Sequence, residues 1–223
     1  MATTVKRMSR DRWVHFPSAW ETYLKLLKDR GERQFPHYIY VKGRLTIVSP
    51  GFSHDFLKKR LAWMIEEILL SLSIPFMPAG STTLLKSIKP RTGIEPDECY
   101  YLTNIEKLRG KDDLVMSVDP SPDLAVEVAI SHPVKDALAA YRILGVREVW
   151  VCKRSELAIM VLGEKRTYAR SAKSRLLSFL SATELTPWIY RDDLPNEMEF
   201  RRLFRDWVAQ ELLPRHRDGG TAG

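Results

Sequence analysis

The chain has 223 residues, enough to build one sizeable core without requiring two domains. Lys and Arg number 35 against 28 Asp and Glu, and the formal charge of +7 with a pI near 9.4 favours an anionic partner, either nucleic acid or a membrane surface. No segment approaches the ~18 uninterrupted apolar residues of a membrane span. The two cysteines lack the close spacing of a zinc site or a redox pair. We therefore predict a cytoplasmic protein with buried thiols and no membrane contact.

The first predicted elements are a basic arm, a helix and a β-hairpin. Residues 1–17 are basic and polar, and we expect a loose arm there. Helical spacing predicts a helix over roughly 18–28, which a glycine at position 31 ends. Two β-rich runs, at 38–41 and 45–48, flank a short glycine-containing turn, which is typical of a tight hairpin.

A long amphipathic helix follows, with Ser53 as its predicted N-cap. His54 lies on the inward stripe of this helix, near its start. A lone histidine there more often bonds a backbone group than serves chemistry, so both interpretations stay open.

Acidic residues interrupt the next two apolar strands. In the strand around 94–102, Asp97 shares a face with Glu95, and in the strand 123–130, Asp123 shares a face with Glu127. Burying an unpaired carboxylate costs several kcal/mol, about 3–5 when a buried pair is broken. These strands are therefore either edge strands with a wet polar face or carriers of a metal-binding or catalytic site.

The second acidic strand opens a strand, helix, strand unit, with a helix predicted over roughly 134–144 and a glycine at 145 to end it. A meander follows. We predict one domain over residues 18–190, and we expect residues 191–223 to form a peripheral helix and a flexible tail.

Three segments in this order carry a family resemblance: GIEPDECYYL, SPDLAVEVAIS and AYRILGVREVW, after a hairpin that ends in IVSPGFSHD. Over roughly 38–181 the chain resembles the Uma-type family of putative restriction endonucleases, within the PD-(D/E)xK nuclease superfamily. The resemblance implies an α/β fold with a restriction-endonuclease-like αβββαβ core, in which helices flank a mixed central sheet. It also implies Mg²⁺ as cofactor and DNA as partner.

Carried over residue by residue, the resemblance implies catalytic roles for Asp97, Glu127 and His54. It implies Asp97, Glu127 and Asp123 as metal ligands. Metal-dependent phosphodiester cleavage needs such converging carboxylates together with a cation.

Two positions depart from the family pattern, because Ala129 stands where a second acidic residue is usual and Ala137 stands where a lysine is usual. Lys135 is a candidate substitute. Two helical steps turn a side chain by about 200°, however, so the alternative is a solvated lysine at a helix start.

Three functions follow from these observations. The first is a metal-dependent DNA endonuclease, and the second is a catalytically inactive DNA-binding relic of the same fold. The third is a protein-interaction module in which Asp97 and Glu127 form surface ion pairs. For a nuclease we expect a homodimer, which suits double-strand cleavage. We also expect a basic rim around the acidic site, formed by Lys58, Lys59, Arg60, Lys86, Lys89 and Arg91.

Overall fold

A computed structural model describes residues 11–219 of the chain. The strands are β1 Arg12–Pro17, β2 His37–Val41, β3 Arg44–Ser49, β4 Met77–Pro78, β5 Leu84–Lys86, β6 Thr92–Ile94, β7 Glu98–Tyr101, β8 Leu124–Val128, β9 Glu148–Cys152, β10 Leu157–Leu162 and β11 Tyr168–Ser171. The helices are α1 Trp20–Arg30, α2 Phe52–Ser71, α3 Lys135–Leu144, α4 Ala182–Ile189, α5 Glu197–Trp207 and α6 Leu213–Gly219, with a π-helical turn Val208–Leu212 between the last two.

The strands form two sheets. A five-stranded sheet has the order β1-β3-β2-β6-β5, and its pairs are antiparallel. A six-stranded sheet has the order β11-β10-β9-β8-β7-β4, in which only β8 and β9 run parallel. The predicted order of α2, then β6 to β8, then α3 and β9 is present. The predicted mixed sheet flanked by helices, preceded by the β2–β3 hairpin, is confirmed.

Successive side chains of β8 and β9 point to opposite faces of the six-stranded sheet, so that each face packs in its own layer of the hydrophobic core. One face of the six-stranded sheet packs on α2, α4 and α5 through residues such as Val126 and Trp150. The other face packs on α3, whose Ala137 and Tyr141 also meet β2 and β6 of the five-stranded sheet. Helix α3 therefore lies between the two sheets, and a polar side chain on that face of β8 is buried unless it reaches a cleft.

Both ends of the chain differ from the expectation. Residues 12–17, expected in a loose arm, form the edge strand β1, which pairs along its whole length with β3. The rest of the expected arm, apart from position 11, lies outside the described residues. The last long helix was expected to be peripheral, but Phe200 and Phe204 of α5 are fully buried in the largest core cluster. Arg60 of α2 anchors α5 through an ion pair with Glu197.

The long helix begins at Phe52 with Gly51 at its N-cap, so the predicted cap Ser53 lies in the first turn instead. Cys99 and Cys152 are free and buried, as predicted. Within residues 11–219, no helix is long and apolar enough to cross a bilayer.

Candidate active site

Asp97, the residue before β7, is a close electrostatic neighbour of Glu127 in β8. β7 pairs with β8 so that Glu98 lies opposite Val126, and the continued antiparallel register sets Asp97 opposite Glu127. Directly opposed residues have Cβ atoms about 4.5–5.5 Å apart. Their exposed fractions are only 4% and 5%. The edge-strand interpretation does not describe this pair, because both carboxylates are buried.

Each carboxylate has one oxygen engaged by the protein. Oδ2 of Asp97 accepts a 2.7 Å hydrogen bond from the Val128 backbone N–H, and Nε2 of His54 lies 3.2 Å from the same oxygen. Oε1 of Glu127 accepts a hydrogen bond from the Tyr141 hydroxyl. The other oxygens, Asp97 Oδ1 and Glu127 Oε2, accept no hydrogen bond from the described residues. One oxygen of each carboxylate therefore remains for a ligand.

His54 lies in the first turn of helix α2 and contacts Asp97 of this pair. The imidazole is 2% exposed. Its Nδ1 lies 3.6 Å from Asp55 Oδ1, too far for a hydrogen bond, and has no hydrogen-bond partner among the described residues. His54 thus contacts a carboxylate side chain, and the backbone-capping interpretation does not describe it.

The electrostatics of the three groups are coupled. Burial raises the pKa of Glu127, and the neighbouring Asp97 charge raises it further, to about 8, although the Tyr141 hydroxyl opposes this. Burial acts against protonation of His54, but Asp97, Asp11 and Asp55 together raise its pKa to about 9. Burial acts to raise the pKa of Asp97, yet His54 and the Val128 N–H hold it below its usual value. At neutral pH the site therefore holds an imidazolium, an ionised Asp97 and a protonated Glu127.

Asp11 ties the beginning of β1 to this site. Its buried carboxylate lies 3.1 Å from Nδ1 of His132 and accepts weaker hydrogen bonds from the N–H groups of Gly51 and Ser131. Burial acts to raise the pKa of Asp11, but His132 and His54 lower it. One carboxylate thus joins the start of α2 to the loop that follows β8.

A cleft of about 680 Å³ is lined by Glu95 and Glu98, on either side of Asp97 in the sequence. Its walls are of mixed charge: they carry the cations Arg30, Arg33, Lys58 and Lys59 and the carboxylates Glu32, Asp55, Glu95 and Glu98, together with His37 and Ser81. Two of the six basic residues expected around the site are therefore here. Arg60 is not: it is buried against Glu197, and its guanidinium donates to the Arg191 carbonyl. Arg91 pairs with Glu21 of α1.

Two predicted site residues are not brought to the pair. Asp123 directly precedes β8, and four steps along the extended chain place its Cα about 13 Å from that of Glu127. Its carboxylate accepts hydrogen bonds from the N–H groups of Leu102 and Thr103, so it organises a loop. Lys135 is exposed and borders a shallow depression with Ala129 and Lys153.

Sequence reasoning missed Tyr141, which contacts Glu127, and the hydrogen-bonded Asp11 and His132, which influence the site through His54. Tyr141, assigned to the core, lies one helical turn after Ala137 and therefore on the same face of α3, a spacing that could have nominated it. His132 follows the strand that carries Glu127, where loop residues often serve function. No local signal marks Asp11, because its role depends on the pairing of β1 with β3.

The described residues contain no group of three or more His, Cys, Asp or Glu side chains arranged to hold a metal ion. A two-carboxylate site is compatible with Mg²⁺, which usually keeps several waters and binds through one or two carboxylates.

Two comparisons with known proteins bear on the family and the fold of the chain. The Uma2 family, described as "Putative restriction endonuclease", matches residues 20–193. The chain belongs to the Uma2 family. A crystal structure of a "putative nuclease belonging to DUF820" from Anabaena variabilis ATCC 29413 superposes on this Uma2 protein with a TM-score of 0.52 at 11% identity, covering 76% of this chain and 97% of that chain. At that identity the likeness establishes a shared restriction-endonuclease-like fold. No curated protein matches the chain.

Proposed function

We propose that this Uma2 protein is a metal-dependent DNA endonuclease that hydrolyses phosphodiester bonds at the Asp97–Glu127 pair. The observation that carries the proposal is the pair itself: two buried, neighbouring carboxylates, each with one oxygen unused by the described residues, near a cleft whose walls include Lys58 and Lys59. A buried pair of this kind is costly without a ligand, since like charges a few ångströms apart raise the pKa of one member.

The donor chemistry fits Mg²⁺. Asp97 Oδ1 and Glu127 Oε2 would hold the ion, which would supply an activated water and neutralise charge on the phosphate. Glu127 must lose its proton to become a ligand, so ion binding and its deprotonation are linked. In hydrolysis the oxygen of water bonds to phosphorus as the bond to the sugar oxygen breaks; the water loses a proton and the departing oxygen gains one.

The protein's own residues prepare this chemistry. His54 keeps Asp97 ionised through its 3.2 Å contact, and Tyr141 fixes the carboxylate of Glu127 through Oε1. The Val128 N–H holds Asp97 Oδ2 in place. The cleft cations would hold the phosphates that the carboxylates repel.

The test is cleavage of supercoiled plasmid and of single-stranded DNA with Mg²⁺ and with excess chelator. We expect strand cleavage only with the metal, and none from Asp97→Asn protein that retains its wild-type fold. Cleavage by Asp97→Asn, or cleavage unaffected by the chelator, would contradict the proposal.

A second candidate is DNA binding without cleavage. It is favoured by the two buried alanines, because Ala129 replaces the acidic residue and Ala137 replaces the lysine that the family pattern has at these positions. Wild-type protein that binds DNA but does not cleave it in Mg²⁺ would support this candidate instead.

A further inference from the structure

The acidic pair has no lysine beside it on α3. Ala137 is 1% exposed and packs in the layer between the sheets. Lys135 is exposed at the first residue of α3, and among the described contacts none joins it to Asp97 or Glu127. A nuclease with this site must draw a cation from elsewhere, because charge builds on the phosphate in the transition state.

Lys58 lies one turn after His54 on α2, so the two side chains share a helix face. Its ammonium donates a 2.7 Å hydrogen bond to Oγ of Ser81. The Ser81 hydroxyl in turn donates to the backbone carbonyl of Asp97 at 3.3 Å. This chain of contacts holds the ammonium of Lys58 beside the strand end that carries Asp97.

The surroundings of Lys58 also suit a ligand-binding role. The residue is half-buried and forms part of the cleft wall with His37, Ser81 and Glu98. No carboxylate of the described residues forms an ion pair with it within 4 Å, in contrast to Arg60, which Glu197 neutralises. An ammonium that is positioned but has no anionic partner is available to a phosphate.

From this geometry we infer that Lys58 is the catalytic cation of the site: its ammonium contacts the scissile phosphate in the cleft and replaces the lysine that α3 lacks. The inference rests on the proposed nuclease function. It moves the cation from α3 to α2, on the opposite side of the acidic pair.

The test compares single-turnover DNA cleavage in Mg²⁺ for the wild type, Lys58→Ala, Lys58→Arg and Lys135→Ala. Lys165→Ala is the matched control, since this exposed lysine lies in the turn between β10 and β11. We expect Lys58→Ala to lower the rate by about 10²–10⁴-fold, as loss of a positioned catalytic group commonly does. Lys58→Arg should recover part of that rate, because arginine keeps the charge, and Lys165→Ala should match the wild type.

Thermal stabilisation by Mg²⁺ establishes that each variant keeps its fold and its carboxylate pair. Binding of labelled DNA in Ca²⁺ gives a second readout. Lys58→Ala should weaken binding and reduce the slope of log affinity against log salt concentration by about one.

A Lys58→Ala protein that cleaves at the wild-type rate would overturn the inference, and so would loss of cleavage in Lys135→Ala alone. Either result leaves the nuclease proposal standing, because the wild type still cleaves. A wild type that never cleaves would refute the nuclease proposal and the role of Lys58 together.

Discussion

The raised pKa of Glu127 predicts that the free energy of unfolding depends on pH. Substitution Glu127→Gln removes the ionisable group while keeping the shape and an acceptor for the Tyr141 hydroxyl. The pKa is about 8 in the folded protein, against 4.5 for an ordinary glutamate side chain. Folded protein therefore retains a proton that the unfolded chain has already released, so wild-type stability falls as pH rises from about 4.5 to about 8.

The size of the effect follows from the same values. A difference between pKa values of 8 and 4.5 corresponds to at most about 5 kcal/mol at high pH. The positive charge of His54 offsets part of the repulsion between the two carboxylates. We therefore expect Glu127→Gln to be more stable than wild type by about 2–4 kcal/mol at pH 9 and nearly equal in stability at pH 5. His54 adds to the wild-type slope: its raised pKa stabilises the fold below about 6.5, and that stability is lost as pH rises through about 9.

The assay is urea unfolding followed by tryptophan fluorescence at pH 5, 7 and 9 in metal-free buffer. Glu148→Gln is the control, since Glu148 is also fully buried but accepts hydrogen bonds from Trp150, Ser174 and Arg175. We expect that variant to lose about 1–3 kcal/mol at every pH. Wild-type stability that stays flat from pH 5 to 8, or a Glu127→Gln protein less stable than wild type at pH 9, would refute the reasoning.

Four further results are expected. Calorimetric titration with Mg²⁺ at pH 7 should release close to one proton per ion, and Asp97→Asn should abolish both binding and release. Asp123→Asn should lower stability by about 1–3 kcal/mol in urea unfolding yet leave the Mg²⁺ affinity unchanged, because its hydrogen bonds organise a loop about 13 Å away. DNA affinity measured in Ca²⁺ should fall steeply with salt, and Lys59→Ala should reduce that slope by about one; a flat response would favour an interaction module. Arg60→Ala should destabilise the docking of α5 in unfolding experiments and leave DNA affinity unchanged.

Local patterns were enough to predict the parts of the fold that depend on neighbouring residues. The β2–β3 hairpin follows from two β-rich runs and a glycine turn, and the shared strand face of Asp123 and Glu127 follows from the period of two. The period of two does not predict which of these two carboxylates lies in the site. Asp123 and Glu127 point to one side of β8, but only Glu127 lies opposite Asp97.

The features that were missed depend on contacts between distant segments. All six residues of β1 are exposed, and its pairing with β3 joins positions as far apart as Arg12 and Ser49. The burial of Phe200 depends on its fit against α2 and α4, which the amphipathic pattern of α5 does not specify. To choose between Lys58 and Lys135, one must know how far α2 lies from the acidic pair. The spacing of residues along the chain does not give that distance.

The most direct test of the account is the single-turnover rate of DNA cleavage measured across a range of Mg²⁺ concentrations for wild type and Asp97→Asn. The account predicts a wild-type rate that is zero without metal and rises to saturation, and no cleavage by Asp97→Asn at any concentration. A wild type that does not cleave at saturating Mg²⁺, or an Asp97→Asn variant that follows the wild-type curve, would contradict it.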